Sequence, residues 1–456
     1  MKKKLLKVIL LLVLIQLIFI SCAIPVDFEA DSKKEGKFKI VNSWGTSRYQ
    51  DNHDRFFYIT YDFLKNLGQR GMYAITLEAE SDYEPQAVAV FEMKHPSRSD
   101  CSYKIIKGDV SDPEKIKVLP ISEGAYFPNS LNYLFKRNQI SKGIDMEFPK
   151  GLIVVDISEL LPLNNQSITL EVTDRNPSYQ TGEVTRFWIE TYERQYDLKR
   201  QDNLTKYKCE NLPMKTENND SIYVTIPNLT IEKNNNYSIY SPPEEPLLKR
   251  TKNETKLPLW WDNSESVYFP PVGSQAMKGA CTVWSLAYYV AGFNEARKHE
   301  WNLSNTTIDT VDKSKVLSPD FVYLLTMDYD FEKQEAKGSN QLMVCKLLTE
   351  IGCCTWDKMP YDYRGITSWP DTDAWRDAAL HRQKNNFSTL IITPTTDEDI
   401  ELIKSLLFEG YLISITINGD DVFEKLTDDY LLPDETSNVI NYDFNHQVTI
   451  VGYEDD

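Results

Sequence analysis

The sequence predicts an α+β protein with a helical lobe, a β lobe and an inserted antiparallel β-sandwich. Three observations predict it. A Pro/Gly/Ser loop, Pro271-Val-Gly-Ser-Gln-Ala-Met-Lys-Gly-Ala-Cys281, runs into a helical pattern in which Trp284, Ala287, Tyr288 and Ala291 recur three or four apart. Across residues 72–229, short β-branched and aromatic runs alternate with Asp/Asn/Pro/Ser clusters, and no long helical period intervenes. Near the C-terminus, His446-Gln-Val-Thr-Ile-Val-Gly-Tyr453 is an apolar β-type run opened by a histidine.

The 456 residues are enough for two or three domains, and 41% hydrophobic with 12% aromatic residues fits a globular chain. A net charge of −18 argues against nucleic acid as a partner. Lys2, Lys3, Lys4 and Lys7 precede an apolar stretch over 8–20, interrupted by Gln16 and too short for a comfortable membrane span. Ser21-Cys22 follows. The segment resembles a bacterial lipoprotein signal, with Phe19 where leucine is usual. The resemblance implies that Cys22 is the lipidated first residue of the mature protein, held to a membrane outside the cytoplasm in the bacterial cell envelope. The alternative is ordinary secretion with Cys22 lost or unmodified.

The remaining elements follow in order. Residues 23–37 are polar, charged and aperiodic, and read as a tether. Phe38-Lys-Ile-Val-Asn42-Ser-Trp-Gly45-Thr-Ser and Arg55-Phe-Phe-Tyr-Ile-Thr-Tyr-Asp62 flank a polar turn, so residues 38–71 read as a β-hairpin. The β-sandwich spans 72–229, and His95 within it reads as a strand-end residue. Residues 230–256, with Ser241-Pro-Pro-Glu-Glu-Pro246, form a linker. A second body covers 257–456. It holds the Cys281 helix and a helix capped by Ser318 with Pro319 at its first position. A helical run from Gly338 to Gly352, an amphipathic helix from Asp397 and strands at 411–417 and 447–451 complete it. Besides Cys22 and Cys281, five cysteines remain (Cys101, Cys209, Cys345, Cys353 and Cys354), and a disulfide from Cys345 to Cys353 or Cys354 is expected. The histidines are scattered without metal-ligand spacing, so neither a metal nor a cofactor is expected.

The chemistry gathers on Cys281. Its place at a helix start favours the thiolate, because the first helical N–H groups have no helical partner. Gln275, six residues upstream, can offer its amide to an oxyanion. His446 supplies the distant imidazole that a thiolate–imidazolium pair requires. Together Gln275, Gly279-Ala-Cys281, the Trp-Ser after it and His446 before Val-Gly-Tyr resemble the papain-like cysteine peptidases. The resemblance implies a two-lobed fold with a cleft for an extended peptide or protein substrate. Cys281 would be the nucleophile, His446 the base and Gln275 the oxyanion glutamine. It also implies that Asn42 of Asn42-Ser-Trp-Gly45 orients the histidine, with Trp44 shielding that contact. In the family this tetrapeptide follows the histidine; here it precedes His446 by most of the chain, the pattern of a circular permutation. Gly338 and Ser339 correspond to the family's substrate-backbone loop, and Asn445 is expected beside the pocket. Many relatives carry a cysteine three residues before the nucleophile, where this chain has Lys278. Two other readings stand beside an endopeptidase: a lipid-anchored binding or adhesion protein on an inactive peptidase-like fold, and a joined fragment of two genes.

Overall fold

Phe38, Ile40 and Val41 share one short segment with Lys37 and Lys39, and a strand so apolar needs neighbours to bury it. The computed structural model of the chain supplies one on each side. It describes residues 36–44, 56–79, 83, 85–96, 101–121, 151–174, 181–192, 198, 204–216, 220–234, 256–330, 335–363, 369–384, 390–419, 431–432 and 444–456. The expected signal segment, Cys22 and most of the expected tether and linker lie outside the described residues.

Strands β1 (Gly36–Val41) and β2 (Phe56–Thr60) form an antiparallel hairpin with Ile40 opposite Phe57. Thr60 then caps helix α1 (Tyr61–Gln69), accepting from the Phe63 N–H. Strand β3 (Ala74–Thr76) follows. Next come β4 (Ala87–Lys94), β5 (Cys101–Asp109), β6 (Asp112–Leu119), β7 (Ile153–Asp156), β8 (Leu163–Asp174), β9 (Glu183–Tyr192), β10 (Leu204–Lys208), β11 (Met214–Lys215) and β12 (Ser221–Ile231). Strand β13 (Trp260–Asp262) leads to α2, a continuous helix over 281–298 whose middle, Trp284–Ala291, is π-helical. Helix α3 (Pro319–Thr326), the hairpin β14 (Met327–Asp330) and β15 (Glu335–Ser339), and helices α4 (Gln341–Glu350) and α5 (Thr372–Ala378) follow. The chain closes with β16 (Leu390–Ile392), α6 (Asp397–Phe408), β17 (Ile413–Ile417), β18 (Leu431–Leu432) and β19 (His446–Asp455).

The main sheet has eight strands in the order β16-β3-β17-β19-β1-β2-β18, with β13 also on β19. Strand β1 thus lies between β2 and β19, and the histidine strand lies between β1 and β17. Phe38, Ile40, Ile415 and Ile450 share a buried cluster with Leu64 of α1 and Leu407 of α6. Val41, Ile75 and Val451 share the other large cluster with Leu286 and Val290 of α2. Each such side chain contributes about 1.5–3 kcal/mol by leaving water, so the pattern locks the register of the hairpin.

Residues from β4 onward build two antiparallel sheets, β10-β9-β4-β7 with β11 on β9, and β12-β8-β5-β6. Phe91 of the first meets Tyr103 of the second at 5.9 Å between ring centroids, so the two share a core. This module differs from expectation in two ways. It begins after residue 79, because β3 pairs with β16 and β17 in the main sheet. Nor does it hang free of the second body. Arg376 of α5 donates to Glu190 Oε2 at 2.8 Å and to the Tyr192 hydroxyl at 2.6 Å, and Arg382 donates to Asp156 Oδ2 at 2.6 Å. Lys117 pairs with both Glu159 and Glu350. These charges are buried, and in sequence such charged residues read as solvated surface.

Three further expectations are corrected. Helix α1 was not foreseen, since its first residues extend the apolar run of β2. The first strand starts at Gly36, inside the expected tether. Cys345, Cys353 and Cys354 are free buried thiols, and no disulfide joins them. Among the described residues, no helix is long and apolar enough to cross a membrane.

Candidate active site

Cys281 is the first residue of α2, preceded by Ala280, which offers no side-chain cap. The first N–H groups of the helix therefore point toward the thiol region without a capping side chain. The cysteine is half-buried. Burial pushes its thiol up, and hydrogen bonds from the Gln447 backbone and from Thr282 pull in the opposite direction. The net direction is upward, against the expectation that the place at a helix start favours the thiolate.

The helix is fixed against the histidine strand by Ser285, one turn beyond Cys281. Its hydroxyl lies 2.6 Å from Ser414 Oγ of β17 and 2.6 Å from Thr449 Oγ1 of β19, and it donates to the Val448 carbonyl at 3.0 Å. Satisfied buried polar groups of this kind specify one docking position. His446 opens β19 and is buried, and its neighbour Gln447 supplies the backbone contact to Cys281.

The end of β1 reaches both sides of the site. Asn42 Oδ1 accepts from the Ser43 N–H at 2.7 Å and lies 2.9 Å from His446 Nε2. A backbone N–H can only donate, so the Asn42 atom facing it is the oxygen. That oxygen in turn requires a proton on His446 Nε2. In the neutral imidazole, Nδ1 is then the basic nitrogen. The Trp44 ring lies 4.5 Å from the His446 ring between centroids, tilted by 39°.

Ser43, one residue on, holds the loop before Cys281. Its carbonyl accepts from the Gln275 N–H at 2.6 Å, and its hydroxyl donates to Gln275 Oε1 at 2.7 Å. Gln275 Nε2 gives one hydrogen to the Lys278 carbonyl at 2.8 Å. A primary amide carries a second, which is the donor an oxyanion would use. Between them Ala276 adopts a left-handed φ of 53°, a conformation that costs a non-glycine residue roughly 1 kcal/mol. Lys278 pairs with both oxygens of Asp320 at 2.7 and 3.0 Å and lies 4.5 Å from the Tyr361 ring centroid.

Gly338 adopts a φ of 104°, and a Cβ there would stand 3.3 Å from the Gly279 carbonyl, so β15 comes up against the cysteine loop. The Ser339 hydroxyl accepts from Thr326 at 3.0 Å. Asn445 is exposed beside His446, and its side chain accepts from the Gly419 N–H at 2.9 Å. Gln275, Asn42 and His446 are thus brought together, with Gln447 joining the histidine strand to Cys281. Gly338 and Asn445 flank that centre through other contacts. Sequence reasoning missed Ser43, Ser285 and Gln447. Ser43 lay inside the motif that singled out Asn42, but its bond to Gln275 spans 232 residues and has no local signal.

No known family profile matches the chain, and no curated protein matches it. Among solved structures, part of the chain is similar to xylellain, a cysteine protease from Xylella fastidiosa. The two are 18% identical with a TM-score of 0.24, and the match covers 38% of this chain and 59% of that one. The match spans little more than half of that protein's length, and the functional reading rests on the geometry of the site.

Proposed function

We propose that the protein is a cysteine endopeptidase of papain-like type, circularly permuted, with the two-sheet module as an insertion. The observation that carries the reading is the 2.9 Å contact between Asn42 and His446, side chains 404 residues apart in sequence. It sets the tautomer that a general base for Cys281 needs. In the proposed reaction His446 Nδ1 takes the Cys281 proton as sulfur attacks a peptide carbonyl. Gln275 Nε2 and the Cys281 N–H receive the negative oxygen. The imidazolium protonates the leaving amine, and a water then attacks the thioester with His446 again as base. Asn42 keeps the ring aligned, and Trp44 covers the Asn42–His446 bond from water. Gly338, Ser339 and Asn445 would contact the peptide. The upward push on the thiol means that His446, and not the helix end alone, must generate the nucleophile.

The test is covalent labelling with a peptidyl epoxide that alkylates only activated cysteines, read by mass spectrometry and paired with a peptide-library cleavage assay. Labelling at Cys281 and cleavage abolished by Cys281→Ala are expected. An unlabelled Cys281 together with no cleavage would overturn the reading. A peptide-binding protein that does no chemistry would instead bind library peptides without labelling or cleavage.

We further propose that Cys22 is lipidated and tethers the site to a membrane outside the cytoplasm. Cys22→Ala should move the protein from the membrane fraction to the soluble one. Identical partitioning of both forms would sink this part of the proposal.

A further inference from the structure

Glu295, His299 and His381 meet at the end of α2 remote from Cys281, roughly 20 Å along the helix from the thiol. Glu295 and His299 are four apart and so share one helix face. His381 arrives from the turn after α5. Glu295 Oε2 lies 2.8 Å from His381 Nδ1 and 3.3 Å from His299 Nε2. One ligand atom from each of the three residues lies within 4.8 Å of the other two. The other carboxylate oxygen, Oε1, is held by the Gln383 amide at 3.2 Å and by the Lys298 ammonium at 3.7 Å. The carboxylate is therefore divided: one oxygen serves an amide and an ammonium, the other faces two imidazoles.

We propose that Glu295 Oε2, His299 Nε2 and His381 Nδ1 form a site for a divalent borderline metal of the zinc class, with water as fourth ligand. Tetrahedral zinc takes nitrogen and carboxylate oxygen at about 2.0–2.2 Å, which sets neighbouring ligand atoms on the order of 3.3 Å apart. The His299–Glu295 separation already has this value. The His381–Glu295 separation must open by about half an ångström.

The surroundings of His381 give that movement a direction. Its Nε2 is buried and has no hydrogen-bond partner. Asp377 Oδ2 lies 3.8 Å from it, an oxygen that also accepts from the Thr355 N–H and hydroxyl at 2.7 and 2.6 Å. The two nitrogens of an imidazole point away from each other. A shift that separates Nδ1 from Glu295 therefore carries Nε2 toward Asp377. That completes the metal–histidine–carboxylate chain usual for a ligating histidine. Without the ion the proton of the neutral ring sits on Nδ1, facing the Glu295 carboxylate, and Nε2 is left as a buried acceptor without a donor, at about 1–3 kcal/mol.

His299 supplies the entrance, since its side chain is 31% exposed while Glu295 is fully buried. Trp301 stacks on the His299 ring at 4.9 Å and meets the His381 ring at 5.8 Å, which limits both rings to small movements. The site would staple the end of the nucleophile's helix to the turn carrying Arg382, whose guanidinium holds Asp156 of the two-sheet module. A second cluster, His95, Cys101 and Asp174, is fully buried, and there Thr216 also bonds Asp174 at 2.9 Å.

The test uses the full chain with Cys281→Ala, so that the candidate nucleophile binds no metal. It is stripped with a chelator, titrated with Zn²⁺ and separately with Co²⁺, then desalted. One retained equivalent by elemental analysis, a Tm rise of several degrees and an intense four-coordinate Co²⁺ spectrum are expected. His299→Ala, at a partly exposed position, should fold normally and lose all three, and His381→Gln should lose them too. No retained equivalent in the Cys281→Ala protein would overturn the proposal. So would an equivalent that survives His299→Ala, and one that survives it but is lost in Cys101→Ser would place the ion in the two-sheet module instead.

Discussion

Asn42 Oδ1 serves two donors at once, the Ser43 N–H and the His446 ring, so its removal should disturb chemistry more than folding. Asn42→Ala is expected to lower kcat on the order of 10- to 100-fold, through a misaligned base, with little change in Tm. Parallel kinetics and thermal melts check this, and equal kcat in the two proteins would remove Asn42 from the mechanism. Ser43→Ala should have a smaller effect. It removes one hydrogen bond to Gln275 but keeps the backbone bond that fixes the loop. Loss of about 1 kcal/mol of transition-state stabilisation, roughly five-fold in kcat/KM, is expected. Cys281 has a sign of its own. Burial raises its thiol, so with His446 removed the thiolate appears only as pH climbs past the ordinary thiol range. Alkylation of the His446→Ala protein should therefore be slow at neutral pH and rise in alkali, whereas the intact protein should react at neutral pH. Identical profiles would show that the two residues do not share a proton.

Helix α4 ends by a device that a single methyl group would break. Gly352 adopts a φ of 97°, and its N–H bonds to the Leu347 carbonyl at 3.0 Å. An added Cβ would lie 1.9 Å from the Ala378 carbonyl oxygen at the end of α5. Both backbone strain and a collision with rigid main chain oppose substitution. Gly352→Ala should cost about 3 kcal/mol or more, measured by urea unfolding. A loss below about 1 kcal/mol would mean that α4 and α5 can part without penalty. At the other end of α4, Asn340 caps by accepting from the Leu342 and Met343 N–H groups, and Gln341 then donates to Gln447 Oε1 at 2.5 Å. The start of α4, directly after the strand that brings Gly338 up against the cysteine loop, is in this way tied to the histidine strand.

The two-sheet module and the helical part share buried charge, and this gives the whole molecule a pH dependence. Burial works to raise Glu190. The hydrogen bonds from Arg376, Tyr192 and Trp188 outweigh it, and the carboxyl falls from 4.5 to about 2. A carboxylate depressed in the folded state stabilises above its unfolded pKa and loses that contribution as pH falls through the folded value. The contribution, on the order of 3 kcal/mol, should be constant above about pH 5 and disappear between roughly pH 4.5 and 2. Arg376→Ala leaves Glu190 buried with less compensation, and about 3–5 kcal/mol of stability should be lost at neutral pH. Acid denaturation of both proteins tests the sign. A variant whose stability near pH 7 equals that of the parent would show the interface to be held by its apolar contacts alone.

Local chemistry in the sequence determined the elements whose causes lie within a few residues. Ser318 and Pro319 start α3 because a hydroxyl can accept from the Phe321 N–H and a proline needs no donor at that place. Alternation made strands of β1 and β19, and only the resemblance of Asn42-Ser-Trp-Gly45 to a family motif made Asn42 a candidate neighbour of His446. Other features were decided only when distant segments packed. Ala-Ile-Thr at 74–76 is equally apt for any sheet, and pairing with β16 and β17 placed it in the main one. Helix α1 formed where apolar spacing could serve strand or helix, because Phe63, Leu64 and Leu67 bury against the main sheet in that form. Arg376 and Arg382 look like surface charge until Glu190 and Asp156 arrive from the two-sheet module, and Lys117 of that module until Glu350 arrives from α4. The meeting of Glu295, His299 and His381 likewise has no signature in spacing, since His381 comes from a separate turn. Propensity and period act over one or two turns of chain, whereas burial, register and charge pairing act between residues that only the folded chain makes neighbours.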